Sequence, residues 1–218
     1  MKVTFQKIKN DEAIKAYIKA ADDSLLALGY TEHSFAHVGK VSYEAARILE
    51  ALGHDEKTVE LARIAGYMHD IGNLVNREEH SQSGAVMAFR ILDNMGMAPE
   101  DIATVVTAIG NHDEGTGVPV NAVSAALILA DKTDVRRSRV RNSDLQTFDI
   151  HDRVNYSVVD SRLELDGKDI RLSLVINTEI SSIMDYFEIF LTRMTMCRRA
   201  AEELGLDFKL TINEQNFI

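Results

Sequence analysis

The stretch Ala65-Gly66-Tyr67-Met68-His69-Asp70-Ile71-Gly72-Asn73 constrains this chain more than any other. An apolar helical run ends in a His-Asp pair, and Ile-Gly turns the backbone directly afterwards. An imidazole nitrogen and a carboxylate oxygen side by side at a helix end suit a hard or borderline divalent metal ion. A His-Asp dipeptide alone is common, so the weight comes from its surroundings. His37 lies one helix upstream, and His80, His112 and Asp131 lie on helical segments downstream. Four histidines and two aspartates thus fall where a helical bundle can aim them inward.

Hydrophobic periodicity gives the frame. Ile14, Tyr17, Ile18, Ala21, Leu25 and Leu28 mark one face of a helix over about 10–28, with Gly29 as its stop. A second helix is expected from about Thr31 to Leu52, with His33 and His37 four residues apart on one face. A third begins at Asp55 or Glu56 and runs into His69. After a polar loop over 73–79, a fourth covers His80 to Asn94. A fifth starts at Pro99-Glu100-Asp101, proline followed by acids that complement the helix dipole, and reaches His112. A sixth runs from about Asn121 past Asp131 to Ser138.

Beyond that point the character changes. Residues 139–152 are polar and of mixed charge and read as a linker. Val154 to Leu165 and Ile170 to Ile176 are rich in β-branched residues around Asp166-Gly167, a hairpin signal. An amphipathic helix from about Glu179 to Leu204 and a strand over Phe208–Ile212 follow. The expected architecture is mainly α, a helical domain over 1–145 with a small C-terminal α+β unit of β-β-α-β order over 146–218. The strands of that unit offer either edges for homo-oligomer formation or a small-ligand pocket.

The composition excludes several classes. With 24 basic and 34 acidic residues the net charge is −10, without the basic footprint that general nucleic-acid binding needs. No stretch approaches the roughly 20 apolar residues of a membrane span. The start, Met1 to Lys7, has no apolar run for a signal peptide. Cys197 has no partner for an internal disulfide, which favours a reducing compartment. The expectation is a cytoplasmic protein with no membrane partner.

Taken as a set, His37, His69, Asp70 and Asp131 make one metal site, and His80 and His112 make a second, with Asp70 bridging. All donors are nitrogen or oxygen, which favours iron, manganese, cobalt, nickel or zinc as the divalent cofactor. Two such ions ~3.5–4 Å apart can hold a phosphoryl group between them. The ordered series His37, His69-Asp70, His80, His112, Asp131, with the Ala-Gly-x-x-His-Asp-Ile-Gly and Leu129-Ala130-Asp131 phrases, resembles the HD-domain superfamily of metal-dependent phosphohydrolases over roughly 30–140. That resemblance implies an all-α domain that hydrolyses a phosphate ester or anhydride of a small molecule, most often a nucleotide or dinucleotide, by metal-activated hydroxide. His80 and His112 resemble the dinuclear branch of the superfamily. Gly115-Thr116-Gly117-Val118-Pro119 echoes the turn of the HD-GYP cyclic dinucleotide phosphodiesterases, with Val118 in place of tyrosine and Asn111 in place of a histidine. Asn73 stands where the dinuclear branch often carries lysine.

Asp70 is the expected catalytic centre, with the leaving oxygen neutralised by metal or by Lys132. Lys132 and Arg136, from the one strongly basic stretch, are the expected phosphate binders. Asp134 is placed to orient a ligand or a water. His33 reads as a supporting histidine, and His54 and His151 as surface residues. The rival functional class is a nucleotide-sensing regulatory or binding module that keeps the HD metal site.

Overall fold

The computed structural model describes residues 3–218; Met1 and Lys2, where the N-terminal reading begins, lie outside the described residues. The helices Glu12–Ala27, Phe35–Ala51, Glu56–Met68, Ala122–Lys132 and Ile183–Glu203 start where a short polar side chain closes the first turn. Asp11 accepts from the N–H groups of Ala13 and Ile14 to open α2 (Glu12–Ala27), which buries Ile14, Ile18, Ala21 and Leu25. Asp55 does the same for α4 (Glu56–Met68). Ser34 caps α3 (Phe35–Ala51), so this helix begins four residues later than its periodicity suggested. Glu32 and His33 are thereby left in the preceding loop. A five-residue α1 (Phe5–Lys9), too short to show a period, precedes them.

After α4 a single 3-10 turn over Ile71–Leu74 leads to α5 (His80–Asn94) and α6 (Pro99–Gly110). Helix α7 (Ala122–Lys132) is opened by reciprocal bonds between Asn121 and Ser124. Every residue from Val123 to Ala130 is buried, so α7 has no solvent face and forms the axis of the bundle. Helices α3, α4 and α6 pack around it.

Two glycines set how closely these elements approach. A Cβ on Gly66 would stand 2.7 Å from Ser42 Cα, so α4 crosses α3 with backbones in contact, and Ser42 Oγ donates to Arg63 O at the crossing. A Cβ on Gly72 would stand 2.0 Å from His80 O, so the turn after Asp70 is seated directly beneath the start of α5.

The C-terminal third departs from expectation in three places. Helix α7 stops at Lys132 rather than near Ser138, and Thr133 Oγ1 donates to Leu129 O as the chain turns to bury Asp134 and Val135. The stretch 139–152 is folded against the bundle. Its Arg139 is buried and donates to Glu32 O and Asp134 O, with 3-10 turns over Arg137–Arg139 and Leu145–Thr147. Its two arginines, Arg139 and Arg141, are paired within the fold, Arg141 with Asp22, which composition cannot reveal. Helix α8 (Ile150–Ser157), capped by Asp149, takes the first part of the expected strand.

Strands β1 (Val158–Asp166) and β2 (Asp169–Ile176) then pair antiparallel around Gly167, whose φ of +61° the turn requires. Helix α9 (Ile183–Glu203) crosses over to β3 (Asp207–Ile212), parallel to β2, and a short β4 (Gln215–Asn216) completes the order β1-β2-β3-β4. The fold is therefore mainly α with a small β-β-α-β sheet unit, and α9 packs both on β3 and on α7. Ile170, Leu172, Leu174, Phe208, Leu210 and Ile212 continue the core of the helices. Among the described residues no helix is long and apolar enough to cross a membrane.

Gly66→Ala must push α3 and α4 apart, and with them His37 and His69. It is expected to cost about 1–3 kcal/mol, the usual cost of overpacking, measured by urea unfolding. An unchanged midpoint would show that the crossing is looser than this.

Candidate metal centre

Six side chains from six different chain positions meet at one end of the bundle. His37 comes from the first turn of α3, His69 caps α4, and Asp70 follows with φ −92° and ψ 2°. His80 opens α5, His112 lies just past α6, and Asp131 is next to last in α7. His37, His69 and His112 are fully buried and Asp70 nearly so. The Asp70 carboxylate divides the set. Its Oδ2 lies 3.2 Å from His69 Nε2 and 3.6 Å from His37 Nε2. Its Oδ1 lies 3.5 Å from His80 Nε2 and 3.9 Å from His112 Nε2. Asp131 Oδ1 closes the first group at 3.3 Å from His37 Nε2 and 3.7 Å from His69 Nε2. In the second group the Nε2 atoms of His80 and His112 are 3.2 Å apart.

The opposite ring nitrogens explain why Nε2 faces inward on all four histidines. His69, His80 and His112 each donate Nδ1–H to the carbonyl three residues back, of Gly66, Arg77 and Ile109, at 2.9, 3.0 and 2.6 Å. His37 donates to Asp134 Oδ2 at 2.8 Å. A carbonyl or carboxylate can only accept, so Nδ1 carries a proton in each ring and Nε2 is the nitrogen turned to the carboxylates. Nε2 of His37 and of His69 are buried without a hydrogen-bond partner. Orphaned buried nitrogens of this kind need a reason, and a cation supplies one. Three overlapping triads, His37–His69–Asp70, His69–His112–Asp131 and Asp70–His80–His112, each bring their ligand atoms within 4.8 Å of one another. The donor set fits a divalent first-row transition metal.

Electrostatics agree. Burial opposes a charge on His69, but Asp70 and Asp131 beside Nε2 outweigh it and raise the imidazole to about 10. Burial likewise opposes ionisation of the two carboxylates, yet His69 beside Asp70 and Lys132 beside Asp131 hold both well below the usual carboxylate range. The cluster favours positive charge, and a metal ion held by His69 Nε2 would take the place of its proton. Asn73, in the position of the anticipated lysine, donates to Asp70 Oδ1 at 3.0 Å and to Asp70 O at 2.9 Å, fixing the rotamer of the shared carboxylate.

A second layer holds these residues in turn. Asp134 receives His37 on Oδ2 and Lys40 and Arg136 on Oδ1, at 2.8 and 3.0 Å. Arg136, expected to grip phosphate, instead spends its donors on Asp134, Glu32 and Ser138 and does not line the cleft over the metal cluster. Lys132 does line that cleft, but its ammonium lies 2.6 Å from Glu114 Oε2 and 2.8 Å from Asp131 Oδ2. Glu114 Oε1 accepts from Arg193 of α9 at 2.9 Å. Burial would raise the Glu114 carboxyl, but Lys132 and Arg193 hold it far below its ordinary value.

The cleft has a volume of about 460 Å3, with Asp70, His80 and Asp131 on its floor and Tyr30, Arg77, Lys132, Arg139 and Arg193 on its walls. His33 lines it as well, and His151, expected on the surface, is exposed on its rim from α8. A second recess of about 630 Å3 shares Leu28, Tyr30, Arg77 and His80 with it. Sequence reasoning did not single out Arg77, Glu114 or Arg193. Arg77 sits in a polar segment, Glu114 in a glycine-rich loop and Arg193 on an amphipathic helix, and nothing in their spacing sets them apart from solvated charges.

The profile of the HD domain matches residues 34–156, more than half of the chain. The chain belongs to the HD domain family. All six converging residues of this HD domain protein lie inside the matched segment. An uncharacterized protein of Methanocaldococcus jannaschii is 25% identical over 205 residues, covering 82% of this chain and 78% of that one. Ribonuclease Y of Aliarcobacter butzleri is 29% identical over 154 residues, or 66% of this chain and 28% of that one. Ribonuclease Y of Campylobacter concisus is 30% identical over 122 residues, 55% and 21%. The HD protein therefore spans less than a third of the ribonuclease Y chains it matches. A predicted HD superfamily hydrolase from an uncultured Thermotogales bacterium superposes with a TM-score of 0.42 at 22% identity, over 60% of this chain and 73% of that one.

Asp134→Ala removes the acceptor that orients His37. Metal affinity is expected to fall roughly 10- to 100-fold, the usual loss for such a partner, in a calorimetric titration with Mn2+. Unaltered affinity would mean that His37 does not depend on Asp134.

Proposed function

We propose that this protein is a metal-dependent phosphohydrolase that hydrolyses a phosphate ester or anhydride of a nucleotide or dinucleotide. The observation that carries the reading is the division of the Asp70 carboxylate between two nitrogen–oxygen sets at the floor of a cleft walled by cations. His37, His69, Asp131 and Asp70 Oδ2 would hold one divalent ion, and His80, His112 and Asp70 Oδ1 a second. Ions bound there would polarise the phosphoryl oxygens and lower the pKa of a water brought to them. The chain's own residues do the rest. Asn73 keeps both oxygens of Asp70 in place, and the Nδ1 bonds keep Nε2 of all four imidazoles turned inward. Lys132 holds Asp131 and adds positive charge where a leaving oxygen develops negative charge. Arg193 carries this support from the C-terminal unit (146–218) to the helical domain (1–145) through Glu114.

Two features favour a substrate with an organic group on each side of phosphorus. The main cleft over the cluster continues past Tyr30, Arg77 and His80 into the second recess, which leaves room for more than the phosphate itself. Two relatives bear the name ribonuclease Y, and a ribonuclease cuts a phosphodiester. The net charge of −10 favours a short substrate over a long polyanion.

Asp70→Asn should reduce hydrolysis of bis(4-nitrophenyl) phosphate to background and release bound metal. Full activity in that variant would overturn the mechanism.

A further inference from the structure

Four lysine and arginine side chains line the cleft, and three of them are already spent. Lys132 is paired with Glu114 and Asp131, Arg193 with Glu114, and Arg139 lies 3.8 Å from Asp134. Arg77 is different. Among the described residues no carboxylate lies within 4.0 Å of its guanidinium. Its side-chain contacts are weak ones: Nη1 is 3.4 Å from Asn73 Oδ1 and 3.5 Å from His80 Nε2, and the guanidinium lies over the Tyr30 ring at 5.6 Å. Arginine carries five N–H donors in a fixed fork, so most of them are left to face the cleft. The backbone at the same residue is firmly held, since the Arg77 carbonyl accepts the Nδ1–H of His80.

The position matters as much as the free charge. Arg77 borders both the main cleft and the outer recess, and its Nη1 touches the imidazole that faces Asp70 Oδ1. Any phosphate that reaches the cluster comes within range of this fork. Engaging Lys132 or Arg193 instead would break a buried ion pair, whereas engaging Arg77 breaks nothing of comparable strength. A planar guanidinium matches two phosphate oxygens at once. Tyr30 restrains the arginine by its ring face and costs it no donor.

We propose that Arg77, restrained over Tyr30, is the residue that grips the phosphate of the substrate at the cluster. This rests on the phosphohydrolase reading, and deepens it by naming the contact that binds the scissile group. Arg136 then holds Asp134 in place, and Lys132 holds Asp131 and lends its charge to the leaving oxygen without being the grip on phosphate.

The test is a calorimetric titration of inorganic phosphate into the Mn2+-loaded protein, comparing wild type, Arg77→Gln and Arg77→Lys, with manganese per chain measured in each. The expected result is phosphate affinity roughly 10- to 100-fold weaker in Arg77→Gln, as for loss of a charged hydrogen bond. Arg77→Lys should recover part of that loss, and manganese content should stay unchanged. Equal affinity in wild type and Arg77→Gln would overturn the assignment. So would a loss of manganese in Arg77→Gln, which would make Arg77 a support for His80. Failure of the phosphohydrolase reading looks different: the wild type would bind phosphate through Arg77 and yet turn over no phosphate ester.

Discussion

The structure depends on one carboxylate shared between two groups of imidazoles. Asp70 presents one oxygen to His37 and His69 and the other to His80 and His112. A buried carboxylate left alone would cost several kcal/mol, on the order expected for a desolvated ion. Here the His69 imidazole, raised to about 10 despite its burial, faces one of its oxygens, and Asn73 donates to the other and fixes its orientation. The helices are arranged to make this possible. Each contributes its ligand from an end or a first turn, where the chain can bend the side chain toward a common point. The C-terminal ends of α4 and α6 leave carbonyls free, and His69 and His112 use them to fix their orientation, as His80 uses the loop carbonyl of Arg77.

Close backbone approach is what brings these ends together. Gly66 lets α4 lie against α3, and Gly72 seats the His-Asp turn under α5. Helix α7, apolar on every face, carries Asp131 to the same point from the centre of the bundle. Around this lies a second layer of charges, Asp134 with Lys40 and Arg136 on one side and Glu114 with Lys132 and Arg193 on the other. Arg193 lies beyond the segment that matches the family profile, so the C-terminal helix takes part in the electrostatics of a cluster whose six residues all lie elsewhere in the chain.

Much of this is legible in the sequence because it follows from periodicity. The apolar faces of α2 and α4, the extent of α5 from His80 to Asn94, the Pro99 start of α6 and the Asp166-Gly167 hairpin all sit where the pattern puts them. The six residues that converge were identifiable for a related reason: histidine and aspartate at the ends of apolar helical runs have few structural uses. What the sequence hides is charge satisfied inside the fold. Arg139 looked like part of a solvated linker but donates to the carbonyls of Glu32 and Asp134. Arg136 looked like a phosphate binder next to Asp131, but the turn at Thr133 sends it to Asp134 and Glu32. Arg77, in an unremarkable polar segment, is brought to the cleft by the Glu79 turn that starts α5. Which charges are paired is a property of three-dimensional neighbours, and no spacing rule encodes it.

The most direct test of the shared carboxylate is elemental analysis of protein purified without chelator or metal-affinity tag, counting transition-metal ions per chain in wild type and in His80→Ala. Asp70 divided between two nitrogen sets predicts about two ions in the wild type and about one in the variant, as for a two-metal site. A single ion that survives loss of His80 would contradict the account, as would a protein that holds none even after metal is offered back.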